Sequence, residues 1–394
     1  MGDNQSPDVT DNRTKISNIL FCAALTIELL LMVLEKSDYP LGFESYVFRV
    51  TFVLTLGAVV IARHDLKGWI AIAVITAFTG FCYLYSGKND LLRLAMFLMA
   101  CKNIDLKKAM KYSLYVSVVG FFAIALLSVA GILGNVVRTM DYGREVGVET
   151  RYVFGFGHPN TLLGCVYALF LMWLWVYGKK AGALLYVVAC AVTLPVVWIT
   201  GSRTGIIIFV FTIVIAVIAR VFTKLSEQKW IYYAAGVGIF LLSAVLAPIA
   251  AVLAHSVFKG GWNPLGEEGF WKLDYLLSNR ISNLYYGVPD YMGLLRNWKL
   301  IAPGSNDGYF DMGWNRLYYW YGILPTALII LAVLAVIYES MRLKDIWALV
   351  LIVSLGIYTF VEATFVTRFL GRDFFLLIGG VYLCRLFAEK DFSI

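Results

Sequence analysis

Leu91-Leu-Arg93-Leu-Ala-Met-Phe-Leu-Met-Ala-Cys101 is a short apolar stretch with a guanidinium near its start. Whether it crosses a membrane decides the side on which every later loop falls. Longer apolar runs surround it, near 16–34, 46–62, 68–85, 112–133, 159–177, 181–200, 205–222, 230–253, 314–338, 346–366 and 374–388. Lipid offers no water to unpaired backbone groups, so such runs are expected to be helices. None shows the two-residue alternation of a β-barrel. The weak stretch, near 87–101, is read as one more span, which brings the total to about twelve.

Charge supports that reading. With the N-terminus inside and twelve spans, the short inner loops hold Arg63 and Lys67, then Lys102, Lys107, Lys108 and Lys111, then Lys179 and Lys180. Arg220, Lys224 and Lys229 follow, then Arg342 and Lys344, and the tails add Arg13, Lys15, Arg385 and Lys390. The short outer connections at 35–45 and 86–90 hold one lysine each. Positive charge gathers inside, but only if the weak stretch crosses. Both termini are then expected in the cytoplasm.

The composition of the 394 residues agrees. Sixty per cent are hydrophobic and 15% charged, where a soluble domain has about 45–50% and about 25%. Too few polar residues remain to coat a water-soluble globule, which excludes the soluble, disordered and fibrous classes. Twelve spans of about 20 residues would take about 240 positions, close to the apolar fraction. The first run is too long for the core of a cleavable signal and lacks a small-residue cleavage site, so it is expected to stay. All six cysteines, Cys22, Cys82, Cys101, Cys165, Cys190 and Cys384, lie in or beside apolar runs without a CxxC pair. They read as small packing residues rather than disulfides or metal ligands. The net charge of +7 is modest, and no nucleic-acid partner is expected.

The expected architecture is therefore an all-α polytopic membrane protein, one membrane domain over 1–394. Two long connections face outward, an outer loop at 134–158 and an extracytoplasmic cap at 254–313 between the ninth and tenth spans. The cap holds Trp262, Trp271, Trp298 and several tyrosines among Gly and Pro turns, so it is expected to fold. Long connections between helices commonly carry function.

Arginine is concentrated on this outer side, at Arg138, Arg144, Arg151, Arg203, Arg280, Arg296, Arg316, Arg368 and Arg372. Its planar fork grips phosphate oxygens in pairs and stays charged. Three motifs stand out. Arg151-Tyr-Val-Phe-Gly-Phe-Gly-His158-Pro159-Asn160 precedes an apolar run, with Pro159 suited to a first helical turn and His158 near an anion-attracting helix N-terminus. Thr200-Gly-Ser202-Arg203-Thr-Gly205 joins two apolar runs with almost no other loop, so Arg203 is expected to face protein or a polar cavity. The cap contributes Leu277-Ser-Asn-Arg280 and Ser305-Asn-Asp307-Gly-Tyr309. Asp307 reads first as a turn residue, placed where the cap re-enters the membrane.

Other polar residues attract simpler readings. Glu28, Arg49, Arg93 and Glu362 lie in or near apolar runs, where charges usually pair inward; Glu362, close in sequence to Arg368 and Arg372, is the one expected nearest the site. Glu267 and Glu268 read as a solvated turn, His64 and His255 as structural. No HExxH, P-loop, dinucleotide or DxD motif is present.

Taken together, the Arg151–Gly164 stretch with its His-Pro-Asn, the TGSRTG turn, the long outer loop with Ser278 and Arg280, the Asp-Gly-Tyr ending and the Tyr321-Gly322-Ile323 turn resemble the bacterial polysaccharide polymerase and O-antigen ligase superfamily (Wzy-type). The resemblance implies a GT-C-like membrane enzyme acting on undecaprenyl-pyrophosphate-linked sugars at the outer face of the bacterial plasma membrane. It implies Asp307 as catalytic base and Arg203, Arg280 and Arg151 at the pyrophosphate. His158, Asn160, Ser202, Tyr309 and Glu362 would also bind substrate. Ligase-type members carry a histidine near the place of Asp307, so Asp-Gly-Tyr resembles the polymerase branch. No cofactor or metal is implied, because the polyprenyl pyrophosphate is already a good leaving group. Implied partners are the lipid-linked oligosaccharide, membrane lipids and a chain-length-regulating co-polymerase. A ligase to another acceptor, a flippase or transporter of lipid-linked oligosaccharide, and a signalling or scaffold protein are the competing readings.

Overall fold

The computed structural model describes residues 7–141, 147–286, 292–372 and 374–386. Arg144 and Lys390 lie outside the described residues. In chain order the elements are α1 (Pro7–Lys36), α2 (Glu44–Ile61), α3 (Leu66–Ser86), α4 (Asp90–Ala100) and α5 (Leu106–Val129). A hairpin follows, β1 (Val137–Asp141) and β2 (Val148–Tyr152), then α6 (Pro159–Tyr177), α7 (Ala183–Ile199) and α8 (Arg203–Val221). The helix α9 (Lys229–Phe240) runs through a π turn at Leu241–Leu246 into α10 (Ala247–Lys259). After them come α11 (Gly266–Leu276), α12 (Arg280–Tyr286), α13 (Gly313–Trp320), α14 (Ile323–Arg342), α15 (Ile346–Val361) and α16 (Phe375–Leu386).

Among the described residues, eight helical stretches are long and apolar enough to cross a membrane, and α7, α15 and α16 are shorter apolar helices. The chain is an all-α polytopic membrane protein. Contacts divide the chain into two compact units, one holding the described residues up to Phe121 and from Arg368, the other Phe122–Thr367.

In the first unit the weak stretch becomes α4. Its 11 residues rise about 17 Å at about 1.5 Å each, roughly half a hydrocarbon core of about 30 Å. Even so, the chain returns to the α2–α3 connection. Lys102, just past α4, donates from Nζ to the Arg63 carbonyl and lies 3.4 Å from His64 Nδ1. The cost of Arg93 in this setting is met by a buried partner. Arg93 Nη2 donates to Glu28 Oε1 at 2.7 Å, Nη1 donates to the Arg368 carbonyl at 2.8 Å, and the guanidinium lies 3.5 Å from the Phe48 ring centroid. Thr51 Oγ1 also donates to Glu28 Oε1 at 2.6 Å. Arg372 pairs with Glu35, and Arg49 lies exposed over the Tyr46 ring.

In the second unit, the expected run at 314–338 is broken. α13 ends at Trp320 and α14 begins at Ile323, with Gly322 between them at φ 101°. A Cβ there would stand 2.7 Å from the Leu300 carbonyl oxygen and 2.8 Å from the Ala302 nitrogen, so the turn requires glycine. Gly313 through Tyr319 are buried; α13 is therefore an inner helix, and the spanning helix starts at Ile323. The segment 134–158 contains the β1–β2 hairpin, the one sheet among the described residues. Glu268 and Lys272 form an exposed pair on α11, His255 is exposed, and His64 bonds the Val59 carbonyl.

Candidate functional site

The three motifs meet in the second unit, and local chain geometry explains how. In the hairpin Arg138 stands directly opposite Arg151, a like-charge pairing that costs stability unless each finds an acceptor. Arg151 donates to Glu149 Oε2 at 2.8 Å and 3.0 Å, and Arg138 donates to the Gly157 carbonyl. The chain then enters α6 through His158, whose Nδ1 accepts from the Asn160 amide at 3.1 Å, with Pro159 in the first helical position. Nδ1 must be unprotonated to accept that bond. Burial, helped by Arg138 and Arg151 and opposed by Asp311, holds this imidazole below its ordinary range. It is therefore a neutral ring carrying its proton on Nε2. Asn160 in turn donates from Nδ2 to Glu362 Oε1 at 3.1 Å.

The TGSRTG turn is shaped around Arg151. Gly201 has φ 67°, and a Cβ on it would lie 3.0 Å from Arg151 Nε. Ser202 caps α8, its Oγ accepting from the Gly205 amide at 3.3 Å. Arg203, the first residue of α8, is exposed; its Nη1 donates to Tyr275 Oη at 2.8 Å and its guanidinium lies 5.5 Å from that ring. Thr204 points inward instead, and Thr204 Oγ1 accepts from Arg280 Nη1 at 3.2 Å.

Arg280 is the hub. Ser278 and Asn279 have φ of 57° and 60°, and Asp274 Oδ1 accepts from the Ile281 and Ser282 amides at 2.8 Å and 3.1 Å. This corner turns the Arg280 side chain inward, where it is 4% exposed. Nη2 donates to Glu362, which is 2% exposed, and Nη1 also donates to the Leu277 carbonyl at 2.8 Å. Nε lies 3.7 Å from Asp311 Oδ2 and makes no hydrogen bond. Asp311 itself is 28% exposed.

Two carboxylates therefore share one guanidinium. Burial would pull Arg280 down, yet Glu362 and Asp311 outweigh it and hold it above its usual range. Burial and then Asp311, within hydrogen-bonding reach, push Glu362 up, while Arg280 opposes them. Loss of water and a nearby like charge both disfavour ionisation of Glu362.

Arg280, Glu362, Asn160, His158, Ser202 and Arg203 thus lie on connected elements, with Arg151 against the TGSRTG turn. The partner of Glu362 is Arg280. Asp307 does not join them. It is exposed in a turn pinned by Asn306 Nδ2, which donates to the Asn297 and Tyr319 carbonyls at 3.3 Å and 2.9 Å, and by Trp320 Nε1, which donates to the Gly308 carbonyl at 2.9 Å. Tyr309 is also exposed, its ring 4.0 Å from the Arg316 guanidinium, which stacks on Trp320 at 3.6 Å. Asp311 and Thr204 went unnoticed in the sequence. Thr204 sits inside a recognised motif, whereas Asp311 is one more acid four positions past Asp307. Only the buried helix after it, which begins Gly313-Trp-Asn-Arg316, hinted at its setting.

Compared with protein-family models, curated proteins and solved structures, the chain finds no match.

Proposed function

We propose that this protein is a bacterial polysaccharide polymerase. It transfers a growing glycan from undecaprenyl pyrophosphate to a sugar hydroxyl of another lipid-linked repeat unit, at the outer face of the plasma membrane, with inversion and without a metal. In this reading the chain crosses twelve times, α4 counting as a crossing, with both termini cytoplasmic and the 254–313 segment forming an outer cap. The observation that carries it is the meeting of Asn160, Thr204, Arg280 and Glu362, from four separate stretches of chain, beside an exposed Arg203.

The chemistry asks little beyond positioning and charge. The diphosphate departs with its own charge, so the enzyme must stabilise that charge, orient an acceptor hydroxyl and remove its proton. Arg203 is suited to the diphosphate because it is exposed at the N-terminus of a 19-residue helix, where the backbone dipole adds positive potential. Arg280 is committed to two carboxylates, so its role is to hold them. The exposed aromatics Trp271, Tyr275 and Trp262 offer faces for sugar rings.

Incubating the purified protein with a synthetic undecaprenyl-pyrophosphate oligosaccharide, without nucleotide sugar and with a chelator present, should yield a ladder of longer chains. A donor recovered unchanged would reject the proposal. So would movement of the intact donor across a vesicle membrane without elongation.

A further inference from the structure

We propose that Asp311 is the general base of this transfer, with Glu362 and Arg280 as the groups that position it. The inference rests on the polymerase reading above. Three observations single Asp311 out. It is the half-buried member of an otherwise buried charge cluster, able to reach both a substrate and water. Its contact with Arg280 is long, 3.7 Å with no hydrogen bond from Nε, so an oxygen remains for an incoming hydroxyl. Its backbone is aimed by an unusual turn. Met312 has φ 67°, a region that favours glycine over methionine, and its amide bonds the Val361 carbonyl at 3.4 Å. A Cβ on Gly313 would lie 2.9 Å from the Glu362 carbonyl. The chain is thus drawn tightly onto the end of α15, and Asp311 is set beside Glu362. Strain of this kind in a non-glycine residue gathers at functional sites.

The charged and titratable groups that face Asp311 come from three directions: Arg280 on α12, Glu362 after α15, and the neutral His158 before α6. Glu362, bonded by Arg280 and Asn160, is too enclosed to meet an acceptor. Glu362 is the buried anchor beside which Asp311 stands. In the step itself the acceptor oxygen bonds to the anomeric carbon as the bond from that carbon to the diphosphate oxygen breaks. The bonding pair leaves with the diphosphate. The hydroxyl proton passes to the Asp311 carboxylate and from its exposed edge to water. Atoms and charge balance without a co-reactant.

The test compares Asp311→Asn, Asp311→Glu and Asp307→Asn in the ladder assay, with binding of undecaprenyl pyrophosphate measured on each. Removing a general base costs about 10²–10⁴ in rate. Asp311→Asn should therefore lose at least about a hundredfold in elongation while its affinity for undecaprenyl pyrophosphate changes less than threefold, and its loss should exceed that of Asp307→Asn at least tenfold. Asp311→Glu, which keeps a negative charge opposite Arg280, should elongate at least tenfold faster than Asp311→Asn. The assignment is overturned if Asp311→Asn keeps a tenth of the rate, if lipid affinity falls with the rate, if Glu does no better than Asn, or if Asp307→Asn is the more damaged. A wild type that forms no ladder defeats the polymerase reading as well; a wild-type ladder that Asp311→Asn shares defeats only the role of Asp311.

Discussion

Arg280 and Glu362, 82 residues apart in the chain, form a buried ion pair that ties the α11–α12 corner to the end of α15. Asn160 reaches the same Glu362 oxygen from α6, and Thr204 reaches Arg280 from α8. One enclosed pair therefore fixes the relative placement of four elements. Buried pairs of this kind add little net stability, yet removing one partner is costly because the other charge is left without compensation.

Arg280→Met should accordingly destabilise the protein by about 3–5 kcal/mol, because Glu362 and Asp311 would face each other alone. Adding Glu362→Gln removes one of those charges, so the double variant should be more stable than Arg280→Met. Thermal unfolding in detergent reads both; strict additivity of the two changes would contradict the shared-charge account.

The same reasoning applies to the first unit. Arg93 and Glu28 are both buried, and Glu28 Oε2 has no hydrogen-bond partner. Arg93→Leu should cost about 3–5 kcal/mol, whereas Arg93→Lys, keeping charge but losing the fork, should cost less. Equal unfolding temperatures for wild type and Arg93→Leu would show the pair to be idle.

These two pairs also show how far the sequence could be read. The helical membrane class followed from composition and run length, because lipid permits few alternatives. That Glu28, Arg93 and Glu362 pair inward was legible too, but not their partners, and Arg49 instead lies exposed. Glu362 stands six residues from Arg368 in the chain, yet it pairs with Arg280, since pairing depends on which helix ends converge. The Tyr321-Gly322-Ile323 turn was noticed, yet the run at 314–338 was read straight through it, and the rank of Asp311 over Asp307 was not visible. Both acids flank the same Gly-Tyr-Phe, and only the close approach of Gly313 to Glu362 sets them apart.

Protonation of His158 gives a pH signature. The folded state holds it below 6.5, through burial and the arginines Arg138 and Arg151. As pH falls past 6.5 the unfolded chain takes up the proton first, so stability is complete above that value and is lost below it. The unfolding temperature should fall as pH is lowered below about 6.5. His158→Asn, which keeps a good helix cap, should flatten part of that drop. An identical pH profile in the variant would exclude His158 as its source.

Gly201 offers a test of packing. An alanine at its positive φ costs about 1–2 kcal/mol, and its methyl group would press on Arg151 Nε. Gly201→Ala should unfold at a lower temperature than wild type and bind undecaprenyl pyrophosphate more weakly. Unchanged affinity would detach Arg151 and the TGSRTG turn from the lipid site.

The most direct test of the central claim, that this corner receives a diphosphate, is binding of undecaprenyl pyrophosphate and undecaprenyl monophosphate to wild type and Arg203→Ala. Charge-assisted bonds to phosphate are worth about 1.5–3 kcal/mol, roughly 10–100-fold in affinity. Wild type should prefer the diphosphate, and Arg203→Ala should lose about tenfold or more for it with less change for the monophosphate. Equal affinities for the two lipids, unaltered by Arg203→Ala, would contradict the account.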